Sequence, residues 1–307
     1  MKSDNPLYLN EEHVRKHLRM AELIPAMEKA LIEFSAGKVT QPVRSVINVD
    51  PPGGFLGLMP ALTPDGLGLK AVTFYPSNVE RCIPTHMATI FLVDPQTGTP
   101  LAIMDGRLIT EMRTAAASAA ATKLLAPPDA KILAILGSGV QARSHVDALR
   151  LVRNFEEIRV WSPTKEHAEQ FAKEIGATAM SAEEAVRGAD VIVTATNSKT
   201  PVLKGPWLKP GSHVNAVGAC RPDWRELDDE AMSNVVFVDS REGAIKESGD
   251  IILSCAKIYA ELGEALPDKV PPRATETTIF KSLGMAVEDI AAAMLVYRSA
   301  AAAQHRH

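Results

Sequence analysis

Hydrophobic and polar positions give the first part of the chain two different periodicities. Residues 11–36 carry apolar side chains at helical spacing and predict one helix. Residues 42–105 contain short β-rich runs separated by proline and glycine. A turn at 94–100 lies between two apolar runs, which predicts a hairpin over 88–105. The first third therefore predicts a mostly antiparallel sheet with one early helix.

From Thr110 onward the pattern becomes helical and then alternates. The alanine-rich run at 110–126 predicts a helix that ends before two prolines. Apolar runs then alternate with helical runs, which is typical of a doubly wound parallel sheet. The predicted strands are 131–136, 157–161, 190–195, 213–218 and 235–239, and the predicted helices are 140–153, 165–175 and 182–188. After Ser282 we expect a long alanine-rich helix that folds back on the N-terminal part.

These patterns predict an α/β protein with two domains. We expect a Rossmann-type doubly wound sheet, formed by 116–283, to bind a dinucleotide. It is inserted into a second, mostly antiparallel α+β domain, formed by 1–115 and 284–307.

Composition limits the class of protein further. The 307 residues are 46% hydrophobic and 23% charged, with a net charge of −4, so nucleic acid and anionic membranes are not expected partners. No apolar run approaches the roughly 18 residues of a membrane span, and the N-terminus has no signal-peptide pattern. Cys82, Cys220 and Cys255 lie far apart, which favours reduced thiols in a cytoplasmic protein and neither disulfides nor a metal site.

The segment KILAILGSGVQARSH places a glycine turn between a predicted strand and a predicted helix. Gly137 allows the tight turn, Gly139 lets the backbone approach a pyrophosphate, and Ala142 is small enough for the third motif position. The helix N-terminus offers N–H groups to the anion. A plain glycine turn without a ligand is the alternative, but the βα units on both sides favour dinucleotide binding.

The second predicted strand ends in WSPTK. Sites that select NAD usually place an acid here to hold the ribose 2′-hydroxyl. This chain has Ser162, Pro163, Thr164 and Lys165, with no acid to repel a 2′-phosphate, which favours NADPH over NADH. The same residues also fit an ordinary helix start with Ser162 or Thr164 as its cap.

Three cations are candidates for binding a carboxylate. Lys70 shares a predicted strand face with Val72, so it is either an edge residue or a buried charge that needs an anion. Arg113 is expected near the start of the alanine-rich helix, where the helix dipole does not favour a cation. Arg44 is the third cation. Taken singly, each of the three cations could also be an ordinary surface residue, and His86 could be a residue with only a structural role. The acids of RPDWRELDDE and KESGD are expected at solvated helix starts.

Long segments of the chain resemble the ornithine cyclodeaminase/mu-crystallin family. They include QPVRSV, KAVTFY, MDGRLITEMRTAAASAAATK, LGSGVQARSH and VDSREGAIKESGDIILS, in the family's order over nearly the whole chain. The resemblance implies a homodimer in which the domain formed by 1–115 and 284–307 serves dimerisation and substrate binding, with a Rossmann domain attached. It also implies NAD(P)H-dependent reduction of cyclic ketimines that bear a carboxylate. Because mu-crystallins also bind thyroid hormone, a non-catalytic protein that holds NADPH and an iodothyronine is a rival interpretation.

The resemblance also implies which residues form the site. Catalytic or substrate-binding positions fall on Arg44, Lys70 and Arg113, and the substrate pocket on Met59, Glu247, Cys220 and Asp223. The expected cofactor-binding residues are Thr85, His86, Arg113, Gly137, Ser138, Gly139, Val140, Gln141, Ser162, Thr164, Lys165, Thr196, Val217 and Ser282. No metal is expected.

The chain departs from the family pattern at two positions. Cys220 stands where cyclodeaminases have an Asp that handles the substrate's amino group, which argues against cyclodeamination; Asp223 is the nearby acid. Pro163 stands where mu-crystallins have an arginine that pairs with the 2′-phosphate. The preference for NADPH is therefore weaker, with NADH as a second cofactor and Lys165 as the remaining phosphate partner.

We therefore predict a reductase for a cyclic imino acid of the piperideine- or pyrroline-2-carboxylate kind, or for a sulfur-containing ring. Arg44, Lys70 and Arg113 would hold its carboxylate. Lys70, or water held near it, would donate the proton to nitrogen. The alternative enzyme is an amino-acid dehydrogenase of the alanine type, which forms its imine from a keto acid and ammonia.

Overall fold

The computed structural model describes residues 5–268 and 275–304. The strands are β1 (Leu7–Leu9), β2 (Ser45–Val49), β3 (Gly54–Thr63), β4 (Gly66–Phe74), β5 (His86–Val93), β6 (Pro100–Asp105), β7 (Ile132–Leu136), β8 (Glu157–Trp161), β9 (Thr178–Ala179), β10 (Val191–Thr194), β11 (His213–Ala216), β12 (Val235–Val238), β13 (Ile258–Glu261) and β14 (Thr278–Lys281). The helices are α1 (Glu11–His17), α2 (Met20–Ser35), α3 (Arg107–Leu125), α4 (Val140–Leu149), α5 (Lys165–Ile175), α6 (Ala182–Val186), α7 (Asp229–Met232), α8 (Arg241–Glu247), α9 (Gly249–Ser254), α10 (Leu262–Asp268) and α11 (Ala286–Gln304).

The chain divides into two compact units. The first consists of Met1–Arg113 and Met285–His307, and the second of Thr114–Gly284. The roles that the sequence assigns to the two parts, dimerisation with substrate binding and dinucleotide binding, stay predictions.

A six-stranded sheet in the order β1-β6-β5-β4-β3-β2 forms the first unit. Neighbouring strands are antiparallel except β1 and β6, and β5 and β6 form the predicted hairpin. One face is buried and contacts α11, which packs on β3, β4 and β5. The opposite face carries apolar side chains that are half-exposed or exposed. Lys70 lies on the buried face.

The predicted single helix over 11–36 is wrong, because the chain forms two helices there. Leu18 and Arg19 are extended between α1 and α2, with φ of −114° and −118°. The Asn10 side chain caps α1 by accepting a hydrogen bond from the His13 N–H. Apolar residues on both helices are buried, including Val14 and Leu23. The stripe continues across the break, so periodicity alone does not reveal it.

An eight-stranded parallel sheet forms the second unit, which confirms the predicted doubly wound pattern. Its order is β13-β12-β14-β11-β10-β7-β8-β9. The central strands are buried on both faces, which explains why they are continuous apolar runs. The carboxyl ends of the parallel strands all lie at one edge of the sheet, where such folds bind ligands. No helix in the described part of the chain is both long and apolar enough to span a membrane.

Candidate functional site

Lys70 is a buried charge with an anionic partner. It lies on β4 between Met59 of β3 and Ile90 of β5, and only 1% of the residue is exposed. Its Nζ lies 2.7 Å from Oδ2 of Asp289 on α11. The sequence left two interpretations of Lys70 open. The structure contradicts the one in which Lys70 is an edge residue, and it supports the one in which Lys70 is a buried charge that needs an anion.

Arg113 is also buried and ion-paired. The interpretation that Arg113 and Lys70 are ordinary surface residues is therefore wrong. Helix α3 begins at Arg107, so Arg113 lies beyond the first turn and the expected position near the helix start is wrong. Its Nε donates to Asp289 Oδ1 at 3.0 Å, and its Nη1 donates to Glu288 Oε2 at 2.9 Å. Two cations and two carboxylates thus form one buried cluster in the first unit.

The buried position of Lys70 brings its pKa closer to neutral pH. Burial lowers the pKa of the Lys70 ammonium to about 8. Asp289 raises that pKa, whereas the positive charges of Arg113 and Arg44 lower it. Arg44 is half-buried directly before β2. A lysine with a pKa near the working pH is suited to donate and recover a proton.

His86 lies at the start of β5 opposite Phe74, on the same sheet face as Lys70. Burial, together with the positive charges of Lys70 and Arg113, lowers the pKa of its imidazole to about 4. His86 is therefore neutral at pH 7 and can donate or accept a hydrogen bond without adding charge. Thr85 is the neighbouring residue that is also predicted to bind the cofactor. Its backbone carbonyl accepts a hydrogen bond from the Tyr75 N–H.

The structure thus brings five predicted residues of the first unit to one region. Arg44, Met59, Lys70, His86 and Arg113 all belong to the buried sheet face or to the elements directly beside it.

The sequence analysis missed the carboxylates of this cluster, Glu288 and Asp289. They are the only charged residues of α11 before Arg298, and both are fully buried. Two adjacent acids in an otherwise apolar, alanine-rich helix are a signal for buried ionic partners, because unpaired buried charges are rare.

The glycine turn of the second unit has the geometry expected for a dinucleotide. Gly137 has φ of +131°, and a Cβ there would lie 2.5 Å from the Ala195 carbonyl oxygen, so glycine is required. A Cβ on Gly139 would meet no atom within 4 Å, and the residue is exposed at the start of α4. Val140 is 53% exposed at the same helix end. Ala142 is fully buried, as packing of helix on strand requires.

The residues after β8 do not cap the next helix. Ser162 shares a hydrogen bond of 2.9 Å with Ser138 of the glycine turn. Thr164 occupies the cap position of α5 but makes no side-chain capping hydrogen bond. The alternative of a helix cap is therefore wrong for both hydroxyls. The Lys165 side chain is 82% exposed.

A buried carboxylate joins the loops that follow β10 and β11. Glu226 accepts hydrogen bonds from the Thr194 hydroxyl, the Thr196 N–H and hydroxyl, and the Gly218 N–H, at 2.6–2.8 Å. It therefore fixes the ends of both strands, where Thr196 and Val217 are predicted cofactor residues. Burial raises the pKa of this carboxyl.

Asp250 and Lys281 extend this network. Asp250 accepts the backbone N–H groups of Glu226 and Leu227, and it lies 2.9 Å from Lys281 Nζ. Both acids are fully buried, so the expectation of solvated helix starts is wrong for Glu226 and Asp250.

The remaining predicted residues of the second unit lie around the same strand ends. Cys220 is exposed, and its Sγ donates to the Val217 carbonyl at 3.5 Å. Asp223 is exposed in a turn, and Glu247 is half-buried at the end of α8. Ser282 is buried and donates to Asp239. The substrate and cofactor roles of these residues stay predictions.

No group of three or more His, Cys, Asp or Glu side chains in the described residues is arranged to hold a metal ion.

Comparisons with known proteins place this chain among dehydrogenases and reductases. The model of the ornithine cyclodeaminase/mu-crystallin family matches residues 5–304. The chain is 52% identical to the ketimine reductase mu-crystallin of Mus musculus over 304 residues, which cover 96% of this chain and 97% of the mouse protein.

Two solved structures share the fold. One is the Thermococcus litoralis Delta(1)-pyrroline-2-carboxylate reductase in complex with NADH and L-proline, with a TM-score of 0.92, 39% identity and coverage of 97% and 98% of the two chains. The other is an archaeal alanine dehydrogenase dimer with bound NAD, with a TM-score of 0.92, 34% identity and 97% coverage of both chains. The chain therefore belongs to the ornithine cyclodeaminase/mu-crystallin family.

Proposed function

We propose that this protein is an NAD(P)H-dependent reductase of the C=N bond of cyclic ketimine carboxylates. The observation that carries the proposal is Lys70, a buried ammonium group with a pKa of about 8 beside the guanidinium of Arg113. The relatives support the same chemistry: the mouse protein is named a ketimine reductase, and the Thermococcus enzyme was solved with NADH and L-proline. L-Proline is the reduced form of pyrroline-2-carboxylate.

The residues of the cluster have distinct tasks in this reaction. Arg44 and Arg113 bind the substrate carboxylate, because a planar guanidinium matches a carboxylate with two hydrogen bonds. Lys70 donates the proton to the ring nitrogen, which makes the imine carbon a better hydride acceptor. Neutral His86 adds no further positive charge at pH 7. The bound dinucleotide supplies the hydride.

The residues that would hold the pyrophosphate of the dinucleotide belong to the second unit. Gly139 and the N-terminus of α4 accept the pyrophosphate. For the choice of dinucleotide, we propose use of both cofactors with NADPH favoured. No acid stands among Ser162, Thr164 and Lys165. The Lys165 ammonium lies 3.6 Å from Glu169 in an exposed ion pair, from which it would turn to a 2′-phosphate. The relatives solved with NADH and NAD support use of the second cofactor.

An amino-acid dehydrogenase is the second candidate, because the archaeal alanine dehydrogenase shares the fold at 34% identity. Such an enzyme reduces an imine that it forms from a keto acid and ammonia. The same cations would serve this reaction, so the geometry of the cluster does not separate the two candidates.

An assay of cofactor oxidation tests the proposed function. We expect pyrroline- and piperideine-2-carboxylate to be reduced without added ammonia, and NADPH and NADH are compared in parallel. Turnover that requires a keto acid with ammonia would instead identify an amino-acid dehydrogenase. Absence of turnover with all of these substrates would contradict the reductase and favour a protein that binds NADPH and an iodothyronine.

We also propose that two copies of the chain associate through the open face of the first sheet. The strands β4, β5 and β6 alternate between buried residues on one face and half-exposed or exposed residues on the other. The second face is apolar and includes Tyr8, Ile47, Leu62 and Met87, which are 40–70% exposed. A large exposed apolar surface of this kind is typical of a protein interface. The alanine dehydrogenase relative is a dimer, which supports a second copy as the partner.

Adjacent residues of β2 provide a matched test of this interface. Ile47 lies opposite Leu56, on the open face, whereas Val46 lies opposite Gly57, on the other face. Ile47→Asp should weaken the dimer by about 2 kcal/mol or more, roughly thirtyfold in Kd, because it places a charge in an apolar interface. Val46→Asp should leave the dimer intact. Sedimentation equilibrium measures both variants, and a monomeric wild-type chain would contradict the proposal.

A further inference from the structure

Two adjacent carboxylates hold the cations that we assign to the substrate. Glu288 and Asp289 lie in the first turn of α11, and both are fully buried. Because α11 packs on β3, β4 and β5, its first turn reaches Lys70 on β4. Both carboxylates contact Arg113, and Asp289 also contacts Lys70, which distinguishes its role.

Asp289 connects the two cations directly. Its Oδ2 lies 2.7 Å from Lys70 Nζ, and its Oδ1 accepts a hydrogen bond of 3.0 Å from Arg113 Nε. Each carboxylate oxygen therefore contacts a different cation. This arrangement fixes the distance between the ammonium and the guanidinium, and it fixes the direction in which each side chain points.

Glu288 contacts the second of these cations, Arg113. Its Oε2 accepts a hydrogen bond of 2.9 Å from Arg113 Nη1 and lies 3.4 Å from the Met285 N–H. Glu288 is therefore a natural control for Asp289, with the same burial, the same helix turn and a shared partner in Arg113.

We propose that Asp289 is a positioning residue of the reductase, which orients Lys70 and Arg113 toward one substrate and keeps Lys70 in its protonated, proton-donating form. This inference rests on the proposed function, because it assigns Lys70 the task of donating a proton to the imine nitrogen. Asp289 touches neither substrate nor cofactor in this account and acts only through its two cationic partners.

The electrostatics of the cluster give the physical reason. Burial and the positive charges of Arg113 and Arg44 all favour the neutral amine of Lys70, and Asp289 opposes them. His86 faces the same region but is uncharged at neutral pH, because its pKa is about 4. Glu288 adds a negative charge next to Arg113. Without the Asp289 charge, Lys70 would lose its proton at lower pH, and less of the enzyme would carry the proton that the reaction needs.

The experiment compares the pH dependence of turnover in three variants. The wild type should lose kcat/KM as pH rises, with a midpoint near 8, where the free enzyme loses the Lys70 ammonium proton. Asp289→Asn should move this midpoint to lower pH by about one unit or more and reduce kcat at its plateau by about tenfold. Asp289→Glu keeps the charge, so it should restore the midpoint while its longer side chain leaves kcat below the wild-type value. Glu288→Gln should raise KM through Arg113 and leave the midpoint unchanged.

The outcomes separate the role of Asp289 from the proposed function. An active wild type together with an Asp289→Asn variant that keeps the wild-type midpoint would overturn the inference and leave the reductase intact. A wild type that turns over no cyclic imine would contradict the proposed function, and the inference with it. If Asp289→Asn does not fold, Asp289→Glu decides: an unchanged kcat would show that the carboxylate only stabilises the fold, whereas a reduced kcat with an unchanged midpoint supports positioning.

Discussion

Replacement of Lys70 with methionine should reduce the turnover of a cyclic imine by about 10²- to 10⁴-fold, the range that general acid catalysis contributes. Methionine has a similar length and suits the apolar strand face between Met59 and Ile90. The substitution therefore removes the proton donor and one cation while the surrounding packing is kept. Binding of NADH and NADPH should be unchanged, because the predicted pyrophosphate site belongs to the other structural unit.

Initial rates and the change in NADH fluorescence on binding measure these two effects separately. Lys131→Met is the matched control, since Lys131 is an exposed lysine whose partner is Glu156. The control should keep the wild-type rate. A Lys70→Met enzyme that retains turnover within about threefold would contradict the assignment of Lys70 as the proton donor.

Replacement of Gly139 with alanine should weaken binding of NADH by about tenfold or more and leave the fold intact. A Cβ at Gly139 meets no protein atom within 4 Å, and its φ of −83° suits any residue. The cost therefore arises only when a pyrophosphate approaches the backbone, where an added methyl group costs about 1–3 kcal/mol. Titration of NADH measures the affinity, and thermal unfolding should give the wild-type midpoint.

Gly137→Ala is the contrasting variant in the same turn. Its Cβ would lie 2.5 Å from the Ala195 carbonyl oxygen, and the residue has φ of +131°. This variant should lose about 1–3 kcal/mol of unfolding free energy even without a ligand. If Gly139→Ala bound NADH as tightly as the wild type, the turn would not hold the pyrophosphate.

The sequence predicted the second unit well for a physical reason. Parallel strands that are covered on both faces must be apolar throughout, so β7, β10 and β11 stand out as continuous runs. Strand β14, which lies between β11 and β12, was not predicted. Its four residues, Thr278–Lys281, include a buried lysine that obscures the apolar pattern.

The candidate site was less accessible to sequence reasoning. The alternation of β4 showed that Lys70 needs an anion if it is buried, but spacing could not identify that anion. Asp289 lies at the opposite end of the chain, and only the packing of α11 on the sheet brings it to Lys70. The same holds for Glu226, whose four hydrogen-bond donors come from two loops of the parallel sheet.

Transfer of deuterium tests the central claim most directly. The enzyme is supplied with NADH that carries deuterium at both C4 positions of the nicotinamide and with pyrroline-2-carboxylate, in the absence of ammonia, and the product is examined by mass spectrometry and NMR. The account predicts proline with one deuterium on the carbon that bears the carboxylate. Consumption of the imine without deuterium in the product, or no consumption at all, would contradict the assignment of this protein as an imine reductase.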